Sequence, residues 1–321
     1  MNARIRSAPG KLRALSWSRT VPRELVHRIS VAEVLLTDVL RMDEVNFAAA
    51  ACWPRSHPTF PVDGPAVHHP LMVVETLRQL GIFIPLRYFG VPVDARLLIT
   101  DLFFTTGPAA QPRVHHGATE VTCRVRLTRL HTGPDGIATG LRLHVDFLAG
   151  GAVFARAGGG ARFFPADQYA VLRGPLADVQ PPRASTGRRR PEPSALGVAL
   201  PRDVVVGIGE RRGRDAGVGG DRWEVVVDAA DPQHPFFFDH ATDHVPGMVL
   251  LEAARQAAAL ASGGALLRVT GARLTALRFT EFTPAARVVC APHHRTCAFR
   301  FDQNGKCCAF GVLHYHSPLR V

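Results

Sequence analysis

Pro246-Gly247-Met248-Val249-Leu250-Leu251-Glu252-Ala253-Ala254-Arg255-Gln256-Ala257-Ala258-Ala259-Leu260 reads as a helix that is apolar nearly all the way round. A helix with so little polar surface has to be buried, and the rest of the fold must supply the cover. Its polar residues are Glu252, Arg255 and Gln256, which at i, i+3 and i+4 share one face. A glutamate and an arginine at this spacing are usually a solvated surface pair worth little energy. Here the neighbours on every side are apolar, so the pair is expected to be buried or to face a wet cleft, where a charge must find a partner.

The same residues occur earlier in the chain. Glu75-x-x-Arg78-Gln79 precedes Glu252-x-x-Arg255-Gln256 by 177 positions, within the apolar run Leu71 to Phe83. His57-Pro58-Thr59-Phe60 matches His234-Pro235-Phe236-Phe237 at the same offset, and Ala95-Arg96-Leu97 matches Ala272-Arg273-Leu274. Three matches in one register describe a duplicated structural unit, too long and with too few copies for a solenoid.

Short segments of alternating or β-branched character follow each helix: 96–105, 119–130 and 139–148 in the first half, and 272–280, 287–290, 296–301 and 306–315 in the second. Segments 33–40 and 223–227 are expected to be strands ahead of the helices. A buried helix followed by antiparallel strands that must wrap it describes the hotdog architecture. The expected fold class is therefore α+β, a tandem or double hotdog, each half a long central helix wrapped by a curled antiparallel sheet. The expected boundaries are an N-terminal domain at 21–173, a Pro/Arg-rich linker at 174–200 and a C-terminal domain at 201–321. The linker contains Arg188-Arg189-Arg190-Pro191-Glu192-Pro193, a composition that disfavours packed structure.

Composition limits the function classes. No uncharged apolar run reaches the ~18–20 residues of a membrane span, and no apolar stretch follows the first charged residues as in a secretory signal. The six cysteines form no C-x-x-C pair, which fits reduced thiols in a cytoplasmic protein. The net charge of +11 favours acidic partners: nucleic acid, an acidic carrier protein or phosphorylated small molecules. Nucleic acid is the least favoured, because the arginines are spread along the chain and no recognition-helix motif is present. No G-x-S-x-G motif or P-loop occurs, and the glycines at 207, 209 and 213 sit in a linker-like context.

The segment Phe238-Asp239-His240-Ala241-Thr242-Asp243-His244-Val245-Pro246-Gly247 leads into the second helix. Proline and glycine at a helix start let backbone N–H groups approach a carbonyl oxygen or an anion, which makes Gly247 a substrate-binding candidate. His240 and His244 precede the helix and lack a third strong ligand, so no metal is expected. A histidine that orients substrate, His240 being the candidate, or one that is merely hydrogen-bonded fits better.

On these residues the sequence resembles the A-factor biosynthesis hotdog family, enzymes that begin γ-butyrolactone signal synthesis in actinomycetes. The motif runs from Asp239 to Gln256, with a looser copy from His57 to Gln79, and the resemblance extends from about Val21 to Leu313. It implies transfer of a β-ketoacyl group from acyl carrier protein to the primary hydroxyl of dihydroxyacetone phosphate, without a cofactor. Such chemistry serves quorum sensing and the regulation of secondary metabolism. The catalytic residues it implies are Glu75, Arg78, Glu252 and Arg255. Gln256 completes the polar face as a binding residue, and Arg273, matched by Arg96, competes with Arg255 as the phosphate clamp. The chemistry asks for a glutamate whose pKa is raised by shielding, so that it can act as a base. The first copy departs from the family pattern, with Val67-His68-His69-Pro70-Leu71 where the family has Asp-His-Val-Pro-Gly-Met. Two other readings stay open: a hotdog 3-hydroxyacyl-carrier-protein dehydratase or thioesterase, and a non-catalytic regulatory protein.

Overall fold

A computed structural model describes residues 4–7, 11–55, 57, 67–114, 117–177, 179–181, 187–211, 223–228, 234–240 and 242–316. Pro58 to Phe60 of the first repeat and positions 212–222 of the glycine-rich stretch lie outside these residues. The chain divides into two units, Met1–Ala177 and Asp178–Val321.

In the first unit a two-stranded ribbon, β1 (Arg4–Ser7) and β2 (Lys11–Ala14), precedes β3 (Leu36–Arg41), β4 (Asn46–Trp53), the helix α1 (Leu71–Tyr88), β5 (Arg96–Thr106), β6 (Thr119–Thr132), β7 (Ala138–Ala149), β8 (Ala152–Phe164) and α2 (Ala166–Arg173). The main sheet has the order β3-β4-β6-β7-β8-β5, antiparallel throughout. In the second unit β9 (Val206–Arg211) and β10 (Trp223–Val227) precede α3 (Gly247–Ala261), followed by β11 (Val269–Ala276), β12 (Arg287–His293), β13 (Thr296–Gln303) and β14 (Lys306–Tyr315). Its order, β9-β10-β12-β13-β14-β11, reproduces the first strand for strand. Each unit is a hotdog: the helix leaves the second strand, packs on the sheet, and feeds the edge strand on the far side.

The helices are as buried as their composition requires. On α3 every residue from Met248 to Ala259 is buried, and on α1 every residue from Leu71 to Leu77. Helix α1 runs past its expected end at Phe83 to Tyr88 and tolerates Pro85 within its last turn. Helix α2 was not expected from the sequence.

The ribbon β1-β2 lies ahead of the expected domain start at 21 and was not expected from the sequence, and two strands of the main sheet, β4 and β8, also escaped it, each for a physical reason. β4 carries the run Ala48 to Ala51, buried on both faces. Ala48 and Ala50 pack with Leu15 and Leu40, flanked by Trp17 and Met42, so no polar alternation is left to read. β8 contains Gly158-Gly159-Gly160, poor strand formers on propensity. They are required sterically: a Cβ on Gly158 would lie 2.6 Å from the Leu143 carbonyl oxygen and 2.7 Å from the Phe103 ring, and one on Gly159 would run into the Asp101 carbonyl.

The stretch expected as linker contributes structure to the second unit. Residues Pro193–Leu196 of it form a short 3-10 turn packed on α3; Pro201–Asp203, at the start of the expected C-terminal domain, form another just ahead of β9. Among the described residues, no helix is long and apolar enough to cross a membrane.

Candidate functional site

The polar face of α3 closes on those two turns. Both carboxylate oxygens of Glu252 are engaged: Arg255 donates from Nε to Oε2 at 2.9 Å and from Nη2 to Oε1 at 2.6 Å, and Gln256 donates from Nε2 to Oε1 at 2.7 Å. The remaining arm of Arg255, Nη1, donates to the Leu196 carbonyl at 2.7 Å. Gln256 bridges onward, giving a hydrogen bond to the Asp203 carbonyl at 2.8 Å and receiving one from the Val205 N–H at 2.9 Å. The Asp203 carboxylate meets His234 Nε2 at 2.9 Å, while Nδ1 of that ring accepts the N–H groups of Phe236 and Phe237, both at 3.2 Å. Two N–H donors on Nδ1 leave the proton on Nε2, so His234 donates to Asp203.

The first unit repeats this network. Arg78 donates to Glu75 from Nε at 2.8 Å and Nη2 at 2.9 Å, and also to the Val26 carbonyl at 3.2 Å. Gln79 donates to Glu75 at 2.7 Å and to the Glu33 carbonyl at 2.8 Å, and accepts the N–H groups of Leu35 and Leu36. Glu33 in turn holds His57 at 3.1 Å. One cation is added: Arg28 lies 2.8 Å from Glu75. Val26 and Glu33 precede Leu196 and Asp203 by 170 positions, and at that offset Val198 occupies the place of Arg28.

For Glu75 the electrostatics run against the expectation of a general base. Burial alone would raise the pKa of Glu75, but Arg28 and Arg78 outweigh it and hold the carboxyl down to about 2. Glu75 is therefore a fixed anion instead of a proton acceptor. Burial likewise opposes the charge of Arg255, and Glu252 outweighs it, so that pKa moves up. Side chains saturated in this way pin each helix to its leading turns. Gln256 and Arg255 belong to this network, with their polar atoms turned inward. Arg273 is exposed on β11 between the buried Ala272 and Leu274, so its side chain is on the face opposite theirs, and the structure does not gather it with the others.

The two helix starts differ. In the second unit Pro246 is extended, no side chain caps the helix, and the first backbone bond runs from the Leu250 N–H to the Pro246 carbonyl. The N–H groups of Gly247 to Val249 thus point out of the helix end. His240 is half-buried in the segment leading to it. In the first unit His69 Nδ1 accepts the Leu71 N–H at 3.2 Å. His68 bonds Thr119 at 2.7 Å, and burial drives its pKa down to about 4, leaving it neutral. Trp53 packs edge-on against His68 and Phe154 and donates to Thr76 on α1 at 2.9 Å. The cavity left among these side chains is about 10 Å³, room for one water at most. The family departure at Val67 to Leu71 thus corresponds to a plugged helix start.

Sequence reading missed the anchors Glu33 and Asp203, the carbonyl-bearing turns and Arg28. The signal was present as an acid followed by three aliphatic residues, Glu33-Val34-Leu35-Leu36 and Asp203-Val204-Val205-Val206, but at an offset of 170 instead of 177.

A family model described as the A-factor biosynthesis hotdog domain matches residues 12–165 and 197–295. A 2-oxo-3-(phosphooxy)propyl 3-oxoalkanoate synthase from Streptomyces virginiae is 38% identical over 244 residues, 74% of this chain and 76% of that protein. The synthase of the same name from Streptomyces griseus is 32% identical over 264 residues, 81% of each chain. Among solved structures, an acyl-ACP thioesterase from Bacteroides thetaiotaomicron is 9% identical with a TM-score of 0.46, covering 84% of this chain and 98% of its own.

Two outcomes follow from the network. Removing one partner strands the other charge, so Arg255→Met should cost about 3–5 kcal/mol in urea unfolding, and adding Glu252→Met should cost less than the two changes summed. Glu75 accepts its proton near 4.5 when unfolded and near 2 when folded, so its contribution is complete above about pH 4.5 and drains as pH falls toward 2. Glu75→Gln should flatten the acid limb of unfolding midpoint against pH; identical slopes in the two proteins would contradict this.

Proposed function

The chain belongs to the A-factor biosynthesis hotdog family, and we propose that it transfers a 3-oxoacyl group from acyl carrier protein to the primary hydroxyl of dihydroxyacetone phosphate. The observation that carries this reading is the identity of 32–38%, over most of the chain, to synthases whose name spells out the product. That product is a 3-oxoalkanoate ester of a three-carbon ketone phosphate.

The reaction needs a thioester carbonyl held in place, an oxyanion stabilised as it forms, and an alcohol delivered to the carbon. The uncapped start of α3 supplies N–H groups for the oxyanion, with Gly247 leaving the backbone open to close approach. Glu252, Arg255 and Gln256 act as positioning residues: they fix the pitch and depth of the helix that carries those N–H groups. Glu75 and Arg78 do the same for α1, as scaffold. His240 borders the site as a substrate-orienting residue. The positive net charge favours encounter with an acidic carrier protein.

The test is product analysis with purified protein and a 3-oxoacyl carrier protein, with and without dihydroxyacetone phosphate. Mass spectrometry should find the phosphorylated ester and free carrier thiol only when both substrates are present, and unphosphorylated dihydroxyacetone should react far more slowly. Free 3-oxo acid released at the same rate without the acceptor would mean a thioesterase. Dehydration of a 3-hydroxyacyl carrier protein, with no ester formed, would mean a dehydratase.

A further inference from the structure

Three residues ahead of Gly247 stands a histidine that the helix network does not use. His244 Nδ1 and Asp243 Oδ1 are 2.7 Å apart, and the Asp243 carboxyl is buried. The ring packs edge-on against Phe279, centroids 5.0 Å apart. Its backbone is fixed as well: the Thr242 hydroxyl donates to the His244 carbonyl at 2.7 Å, and the next N–H, of Val245, donates to the Thr280 carbonyl at 2.8 Å. The side chain remains 23% exposed, and among the described residues Nε2 has no hydrogen-bond partner. A carboxylate on Nδ1 sets the tautomer and orients the ring, leaving Nε2 with a lone pair toward solvent.

We propose that Asp243 and His244 form the acid–base dyad of the second unit, an assignment that rests on the transfer reaction described above. His244 Nε2 takes the proton of the acceptor hydroxyl as its oxygen bonds to the thioester carbon. The carbonyl π electrons move onto oxygen, beside the N–H groups at the start of α3. Collapse re-forms the carbonyl and breaks the carbon–sulfur bond, and the imidazolium returns its proton to the departing sulfur. Atoms and charge balance, and Asp243 stays ionised throughout, stabilising the imidazolium. Histidine suits both halves of this exchange, because Nε2 accepts a proton through its lone pair and, once protonated, donates it.

The duplication supplies an internal control. At the offset that superposes the helices, Ala66 and Val67 replace Asp243 and His244, and Pro70 replaces Gly247. The dyad and the open Pro-Gly helix start therefore occur together in one unit and are both missing from the other. Glu252 has both oxygens occupied by Arg255 and Gln256, whereas the His244 side chain keeps 23% exposure and a free Nε2 among the described residues.

The test compares His244→Ala, His244→Gln and Asp243→Asn with the parent full-length protein, using ester formation from 3-oxoacyl carrier protein and dihydroxyacetone phosphate. Loss of the base should lower kcat by about 10²–10⁴-fold with KM for both substrates little changed. Asp243→Asn should lower kcat while the ring stays in place but in the wrong tautomer. Added imidazole should restore part of the His244→Ala rate and none of the His244→Gln rate, a response that a purely structural residue would not give. A thermal melt run beside each assay separates folding from chemistry. A folded His244→Ala with kcat within about threefold of the parent would overturn the dyad while leaving the transfer reaction intact. A His244→Ala loss that imidazole does not relieve, with normal activity in folded Asp243→Asn, would also overturn it. A parent protein that forms no ester would remove both assignments together.

Discussion

A carboxylate buried inside an apolar helix sets the terms for each half of this molecule. Glu75 and Glu252 cannot be taken out of water unless both oxygens are satisfied, and each helix supplies its own arginine and glutamine to do so. Those side chains have donors left over, and the surplus goes to carbonyls of the short turns that precede the first strand of each sheet. The helix is thereby tied to the turns that open its own unit through polar bonds whose geometry is more specific than apolar contact. This explains why the duplicated sequence preserves its polar residues more faithfully than the apolar ones around them. A methyl group can be moved within a core, but a buried donor cannot be left unpaired.

On this shared frame the units have diverged in opposite directions. The first adds Arg28 to the carboxylate, caps its helix with His69, and fills the adjoining space with Trp53, Phe154 and His68. The last two of these changes close the helix start. The second has Val198 in place of Arg28, a Pro-Gly start with no side-chain cap, and an oriented histidine just ahead of it. In the proposed reading the chemistry belongs to the second unit and the first serves as scaffold, while the Glu-Arg-Gln network is common to both and therefore distinguishes neither.

Much of the fold was legible because burial writes itself into composition. Helices apolar on every face, and a repeat in constant register, led directly to two wrapped helices. What escaped were elements whose residues answer to packing instead of propensity: β4, with alanines covered on both faces, and β8, whose glycines make room for Phe103 and the Asp101 carbonyl. The candidate site was half legible. Spacing on the helix identified Glu252, Arg255 and Gln256, but their donors and acceptors come from turns more than forty residues away, and a one-dimensional pattern carries no record of that closure. Hence the expectation of a raised glutamate pKa, which for Glu75 the neighbouring arginines reverse. His244 was visible in the sequence, but its hydrogen bond to Asp243 was not.

The division of roles between the units is tested most directly by counting sites. A non-cleavable 3-oxoacyl-pantetheine thioether can be titrated into the full chain by calorimetry. One ligand per chain, unchanged by Trp53→Phe and abolished by Gly247→Trp, is the expected result. Two equivalent ligands per chain, or binding that survives Gly247→Trp, would contradict a single working helix start.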